Sequence, residues 1–115
     1  MSFTNTSPLL SPTRCKEAAL GTNPIAVAAR SNEGSFVLDM ATTAVALGKI
    51  ELQQRKNEPL PLGWAQDKQG QLTTNPNSAL EAYCLSPLGG AEETSGYKGT
   101  GLALMVELFC GILSG

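Results

Sequence analysis

The chain has 115 residues, of which 42% are hydrophobic and 16% charged, and a formal net charge of -2. That length holds one small domain, and the balance of apolar and charged residues suits a globular protein. The eight Lys and Arg residues are scattered from Arg14 to Lys98, so no basic stripe is available to neutralise a nucleic acid backbone. There is no histidine. Its absence excludes His-based metal sites, a Ser-His triad and an imidazole general base within this chain. Cys15, Cys84 and Cys110 are odd in number and widely spaced, with no CxxC pair. They read as buried free thiols in a reducing compartment, hence a cytoplasmic location. The start, "MSFTNTSPLLSPTRC", lacks a basic region followed by an apolar core and is no secretory signal. The longest apolar stretch, 102–113, includes Glu107 and is too short to span a bilayer.

Residues 2–7 read as a short strand. Residues 8–24 read as loop, because Pro8, Pro12 and Pro24 block regular hydrogen bonding. Asn23, placed before Pro24, is expected to be extended, with a structural turn weighed above an amide aimed into a site. "IAVAAR" (25–30) and "SFVLDM" (35–40) predict a hairpin with its turn at 31–34. Both runs are nearly continuous in apolar residues, which predicts a covered sheet. Thr42 or Thr43 is expected to cap a helix running to about Asn57, apolar in its first half and stopped by Pro59 and Pro61. Asp67 and Gly70 suit a tight reversal, with Trp64 as an anchor. A short helical turn is expected within 77–90, a flexible loop over 91–101 and a helix over 100–113. The mixture predicts α/β with a small mixed sheet.

Three stretches carry candidate chemistry. "GYKGTG" (96–101) matches neither the Walker loop nor the dinucleotide fingerprint. A Gly loop at a helix N-terminus still offers unpaired N–H groups and a positive dipole end to an anion, with Lys98 as an added charge. The alternative is a plain loop with a surface Lys. Asp39, at the end of an apolar strand, is suited to a crevice at the strand's C-terminal edge. The alternative is helix capping by Asp39 or Thr42. The last helix is apolar on every side except at Glu107, so several of its faces need covering. A partner subunit, or further segments of a longer protein, would have to provide that cover.

Taken together, "TNTSPLLSP", "EAALGTNPIAVAAR", "SFVLDMATTAVALGKIE", "EPLPLGWAQDKQGQLTTNP", "LSPLGG" and "GYKGTGLALMVELFCGILSG" resemble the malate/L-lactate dehydrogenase family of the non-Rossmann type. That family also includes ureidoglycolate, sulfolactate and diketogulonate reductases. The resemblance runs in order along essentially the whole chain. It implies the mixed-sheet α/β cofactor domain of the non-Rossmann malate/lactate dehydrogenase fold, incomplete, with residues 1–115 a partial cofactor-binding domain. It also implies an oxidoreductase that interconverts small 2-hydroxy and 2-oxo acids with NAD or NADP, and a homodimer when complete. Residue by residue, Asn5-Thr6 resemble the family's Asn-Ser pair, whose hydroxyl (here Thr6) contacts the cofactor. Asp39, Met40, Ala41 and Thr42 resemble its "DMAT" cofactor segment. Lys98 and Gly99 resemble its cofactor-contacting Lys-Gly pair. No catalytic residue and no metal ligand is carried over.

Departures from the family pattern are equally specific. Family members are much longer, and their catalytic His segments precede the region matched here. Arg14-Cys15 stand where the family has a glycine pair, Arg30 where Pro is usual, and Tyr97 where His or Trp is common. Hydride transfer to a 2-oxo acid needs a proton donor near the carbonyl and a cation for the carboxylate, and the matched residues supply neither. Turnover by these residues alone is therefore expected to be negligible, and the isolated chain is expected to expose large apolar patches. The alternative function is a catalytically inactive module that associates with a full-length homologue.

Overall fold

The computed structural model describes all 115 residues. Strands β2 (Ile25–Ser31) and β3 (Gly34–Met40) make the expected hairpin. They pair antiparallel from Ile25 opposite Met40 to Ser31 opposite Gly34. Glu33 N–H donates to Ser31 Oγ at 3.3 Å within the turn. Strand β1 (Ser2–Phe3) adds antiparallel to the other edge of β2. The strand expected over 2–7 is thus confined to two residues, because Asn5 and Thr6 bond to other elements. The expected cover reaches only the Ile25 end of the sheet. Phe36 is 60% and Val37 68% exposed. Continuous apolar runs are the pattern of strands buried on both faces, and here the hairpin extends beyond the elements that could bury it.

Helix α1 (Leu47–Lys56) starts later than expected. Thr42 and Thr43 do not cap it: both are buried in the extended segment before it, and Ala46 precedes the helix without any side-chain cap. Ile50 is its only fully buried residue, and Leu47 with the preceding Val45 packs against the same core, so the apolar first half meets the core and the charged second half faces solvent. Asn57, at φ 56, closes it in the left-handed region, and its N–H reaches Gln53 and Gln54 carbonyls.

A second, two-stranded sheet pairs β4 (Ala65–Gln66) with β5 (Cys84–Leu85). The reversal after β4 is built as its residues suggest: Asp67 Oδ1 accepts from the N–H groups of Gln69 (2.9 Å) and Gln71 (3.0 Å), and Gly70 takes φ 78. Helix α2 (Pro76–Ala82) begins with Pro at its first position, and Asn75 Oδ1 accepts from the N–H groups of Asn77 and Ser78. Ile50, Leu60, Ala65, Ala79 and Leu85 form one core, with Trp64 packed against it. Leu10, Leu20 and Ala103 form a smaller one. Leu10 links the two, because it bridges antiparallel to Leu20 and parallel to Leu85.

Helix α3 (Tyr97–Glu107) runs into a single π-type turn (Leu108–Ile112). A short 3-10 turn, Glu92–Thr94, occupies the stretch read as flexible loop. Lys98, Gly99, Thr100 and Gly101 therefore lie inside the helix, not in a loop ahead of it. Gly99, Ala103 and Val106 are buried, while Leu104, Leu108, Phe109 and Ile112 are exposed, Ile112 at 72%. No helix is long and apolar enough to cross a membrane. The three cysteines are free. Cys84 is buried, and burial pushes its thiol up from the ordinary value. Cys15 is exposed, which corrects the expectation that all three thiols are interior.

Candidate functional site

Of the seven residues singled out from the sequence, Thr6, Thr42 and Gly99 are joined by one line of hydrogen bonds. Thr22 N–H donates to Thr6 Oγ1 at 2.9 Å, and the two hydroxyls lie 3.2 Å apart. Thr22 carbonyl then accepts from Thr42 N–H (2.8 Å) and Thr42 Oγ1 (2.9 Å). Thr42 carbonyl accepts from Leu88 N–H at 2.9 Å, and Leu88 carbonyl from Gly99 N–H at 3.2 Å. The line joins five separate stretches of the chain through four links and ends beside Lys98. Thr42 is fully buried, so its hydroxyl is committed to Thr22 and Asn23 carbonyls. Thr6 is exposed. Met40 and Ala41 connect β3 to this line and are half-buried.

Asp39 stands apart from it. The residue lies opposite Ala26 on β3 and is exposed, and its side chain makes no hydrogen bond or ion pair in the chain. It lines an open hollow of about 280 Å³ with Ser2, Ala26, Val27 and Leu38. Asp39 does not cap α1, which begins at Leu47.

The head of α3 differs from the sequence expectation in its backbone. Gly96 N–H bonds Ala91 carbonyl, Lys98 N–H bonds Ser95 carbonyl and Gly99 N–H bonds Leu88 carbonyl. Tyr97 is left as the one backbone donor there without a partner. The anion cradle of unpaired N–H groups expected from "GYKGTG" is thus largely used up by the fold itself. Lys98 remains: it is exposed and makes no ion pair. Gly99 packs directly on Leu88, where a Cβ would come within 2.5 Å of the Leu88 carbonyl oxygen and closer still to its nitrogen.

Two further residues, Asn23 and Gly21, position this region. Asn23 is 0% exposed and takes φ 36, not the extended conformation expected before Pro24. Its side chain accounts for the difference. Oδ1 accepts from Thr6 N–H at 3.0 Å, while Nδ2 donates to Ala103 carbonyl at 3.0 Å and Glu107 Oε1 at 3.1 Å. Asn tolerates the left-handed region better than most residues. The amide is thus a buried tie between the N-terminal loop and α3. Glu107, the lone acid of α3, also accepts from Asn5 Nδ2 at 3.3 Å. Gly21 is the second such residue, since a Cβ there would overlap Thr6 Oγ1 and Asn23 Oδ1. The string "GTN" signals a turn, and nothing local in it reveals a buried partner on α3.

Arg14 and Glu92 form a forked ion pair in which Nε lies 3.1 Å from Oε1 and 2.9 Å from Oε2. The pair edges a cleft of about 350 Å³ that Lys16, Gln66, Leu72 and Glu93 also line. The hydrogen bond from Arg14, and then its charge, hold the Glu92 carboxyl below the ordinary value of 4.5. Because the folded value is the lower one, the pair's contribution is complete above pH 4.5 and fades as pH falls through the depressed value. In an NMR titration, the Glu92 carboxylate should give a midpoint below 4.5 that returns to the ordinary value in Arg14→Gln. Equal midpoints in the two proteins would rule out this account of the pair.

A family model described as malate/L-lactate dehydrogenase matches residues 1–115. The chain belongs to that family. It is 47% identical over 116 aligned residues to a malate dehydrogenase of Pyrococcus horikoshii, covering 100% of this chain and 32% of that protein. The solved sulfolactate dehydrogenase of Methanocaldococcus jannaschii superposes with a TM-score of 0.82 at 48% identity, over 93% of this chain and 29% of that one. The solved malate dehydrogenase of Entamoeba histolytica gives 0.85 at 33% identity, over 97% and 33%. The chain thus spans about a third of the length of these malate/L-lactate dehydrogenase relatives. Its mixed α/β fold is the matching part of the dehydrogenase fold. The relatives are oxidoreductases, which is the class of reaction the family carries.

Proposed function

We propose that residues 1–115 carry part of the NAD(P) site of an oxidoreductase that interconverts small 2-hydroxy and 2-oxo acids. The observation that supports this reading best is the hydrogen-bonded line from Thr6 through Thr42 to Gly99, which links the three segments that resemble the family's cofactor motifs. The donor set also suits a cofactor made of phosphates and hydroxyls. Lys98 offers an unpaired cation for a phosphate, Thr6 an exposed hydroxyl, and Asp39 a free carboxylate able to accept from a ribose. Met40, Ala41, Thr42 and Gly99 would shape and hold the backbone around it. When bound, the cofactor supplies the hydride. The matched residues of this chain bind and orient it, and the resemblance carries over neither the proton donor nor the cation for the substrate carboxylate. NAD and NADP both suit this set, and the proposal extends to a cytoplasmic homodimer for the whole enzyme.

Titration with NADH and NADPH, followed by nucleotide fluorescence, tests the reading. Lys98→Ala should weaken binding of whichever nucleotide binds by about tenfold, the size of one charge-assisted contact. Unchanged affinity would remove Lys98 from the site. A second reading, an inactive module that associates with a full-length homologue, is favoured by the exposed Leu104, Leu108, Phe109 and Ile112. Absence of nucleotide binding together with co-elution with such a homologue would select it.

A further inference from the structure

We infer that Thr13 and Arg14 form a two-point clamp on the segment bearing Lys98, which makes Arg14 a positioning residue for the proposed cofactor contact. This inference rests on that reading of the site. Arg14 sits at φ 67, a left-handed backbone that residues with a Cβ seldom adopt unless their surroundings enforce it. The turn closed by Cys15 N–H on the Pro12 carbonyl at 2.9 Å holds it there, and from that position its side chain makes the forked contact with Glu92, with Nε reaching both carboxylate oxygens and Nη2 one of them. Its neighbour Thr13 reaches the same segment from the other side of Lys98. Thr13 N–H donates to Thr100 Oγ1 at 3.1 Å, and the two hydroxyls lie 3.0 Å apart.

Glu92 precedes Lys98 and Thr100 follows it, so two adjacent residues of a distant loop bracket the cation. Between those points the backbone bonds are local: Thr94 and Gly96 to Ala91, Ser95 to Glu92 and Lys98 to Ser95. Such bonds hold a turn together without orienting it relative to the rest of the molecule. Orientation needs long-range ties, and the clamp supplies two, alongside Gly99 on Leu88. A forked guanidinium–carboxylate pair fixes direction as well as distance.

The experiment compares wild type, Glu92→Gln, Arg14→Gln and the charge-swapped double variant Arg14→Glu/Glu92→Arg, with two readouts on the intact chain. Amide hydrogen exchange at Thr94, Ser95 and Gly96 without nucleotide should quicken in both single variants and slow again in the swap. Affinity for the nucleotide that wild type binds should fall by about two- to fivefold in the single variants and recover in the swap. The melting temperature should hardly change, which separates positioning from general stability. Unchanged exchange would overturn the clamp. Faster exchange with undiminished affinity, while Lys98→Ala still weakens binding, would show a tie that does not serve the site and would equally overturn the inference. If wild type binds neither nucleotide, the cofactor reading fails and the positioning role falls with it.

Discussion

Asn23→Ala should lower the free energy of unfolding by about 3 kcal/mol, one of the two largest effects expected in this chain. Asn23 is fully buried and its amide joins Thr6 in the N-terminal loop to Ala103 and Glu107 on α3. Removing the amide leaves Thr6 N–H and one Glu107 oxygen short of a partner in a partly closed setting. The substitution also puts a residue with no side-chain hydrogen bond at φ 36. Asn23→Gly separates these two costs, since it loses the same bonds but accepts the backbone. It should therefore be less damaging than Ala. Urea denaturation of the three proteins measures the order. A midpoint for Asn23→Ala indistinguishable from wild type would show that this amide is not a structural link.

The second large effect comes from two glycines in the same helical turn that should respond in opposite directions. A Cβ at Gly99 would press into the Leu88 backbone, whereas a Cβ at Gly101 meets nothing within 4 Å. Alanine favours a helix interior over glycine by about 1 kcal/mol. At position 101 that gain is free, and Gly101→Ala should stabilise by about this amount. At position 99 the overlap outweighs it. The head of α3 must move off Leu88, at a net loss of about 2 kcal/mol. Because Gly99 N–H ends the line from Thr6, the same change should also weaken NAD(P)H binding. Thermal melts of the two variants decide the point, and equal shifts of the same sign would contradict the packing described for Gly99.

The elements most legible in the sequence were those whose signals are local. The hairpin and its turn came from two apolar runs around "SNEG". The Asp67–Gly70 reversal came from turn chemistry, and the end of α1 from the prolines beyond it. The segments that mark the malate/L-lactate dehydrogenase family were also readable, because a motif in order along a chain needs no coordinates. The misplaced elements failed for nonlocal reasons. Thr42 has the residue type of a helix cap, but Thr22 carbonyl captured both its amide and its hydroxyl. "GYKGTG" reads as a loop from its glycines. Gly99 is there for contact with Leu88, and the helix runs straight through it.

The same division governs the candidate site. Residue types and order alone make Thr6, Asp39–Thr42 and Lys98–Gly99 resemble the family's cofactor motifs, and they make Lys98 the cation to test. The folded chain determines that Thr6, Thr42 and Gly99 share one hydrogen-bonded line while Asp39 faces a separate hollow. It also determines that the N–H groups at the head of α3 are mostly spent before any anion arrives. Hydrogen-bond partners at these positions lie many residues apart, as with Asn23 and Glu107 or Arg14 and Glu92. Their pairing depends on where the backbone brings them, which no spacing along the chain encodes.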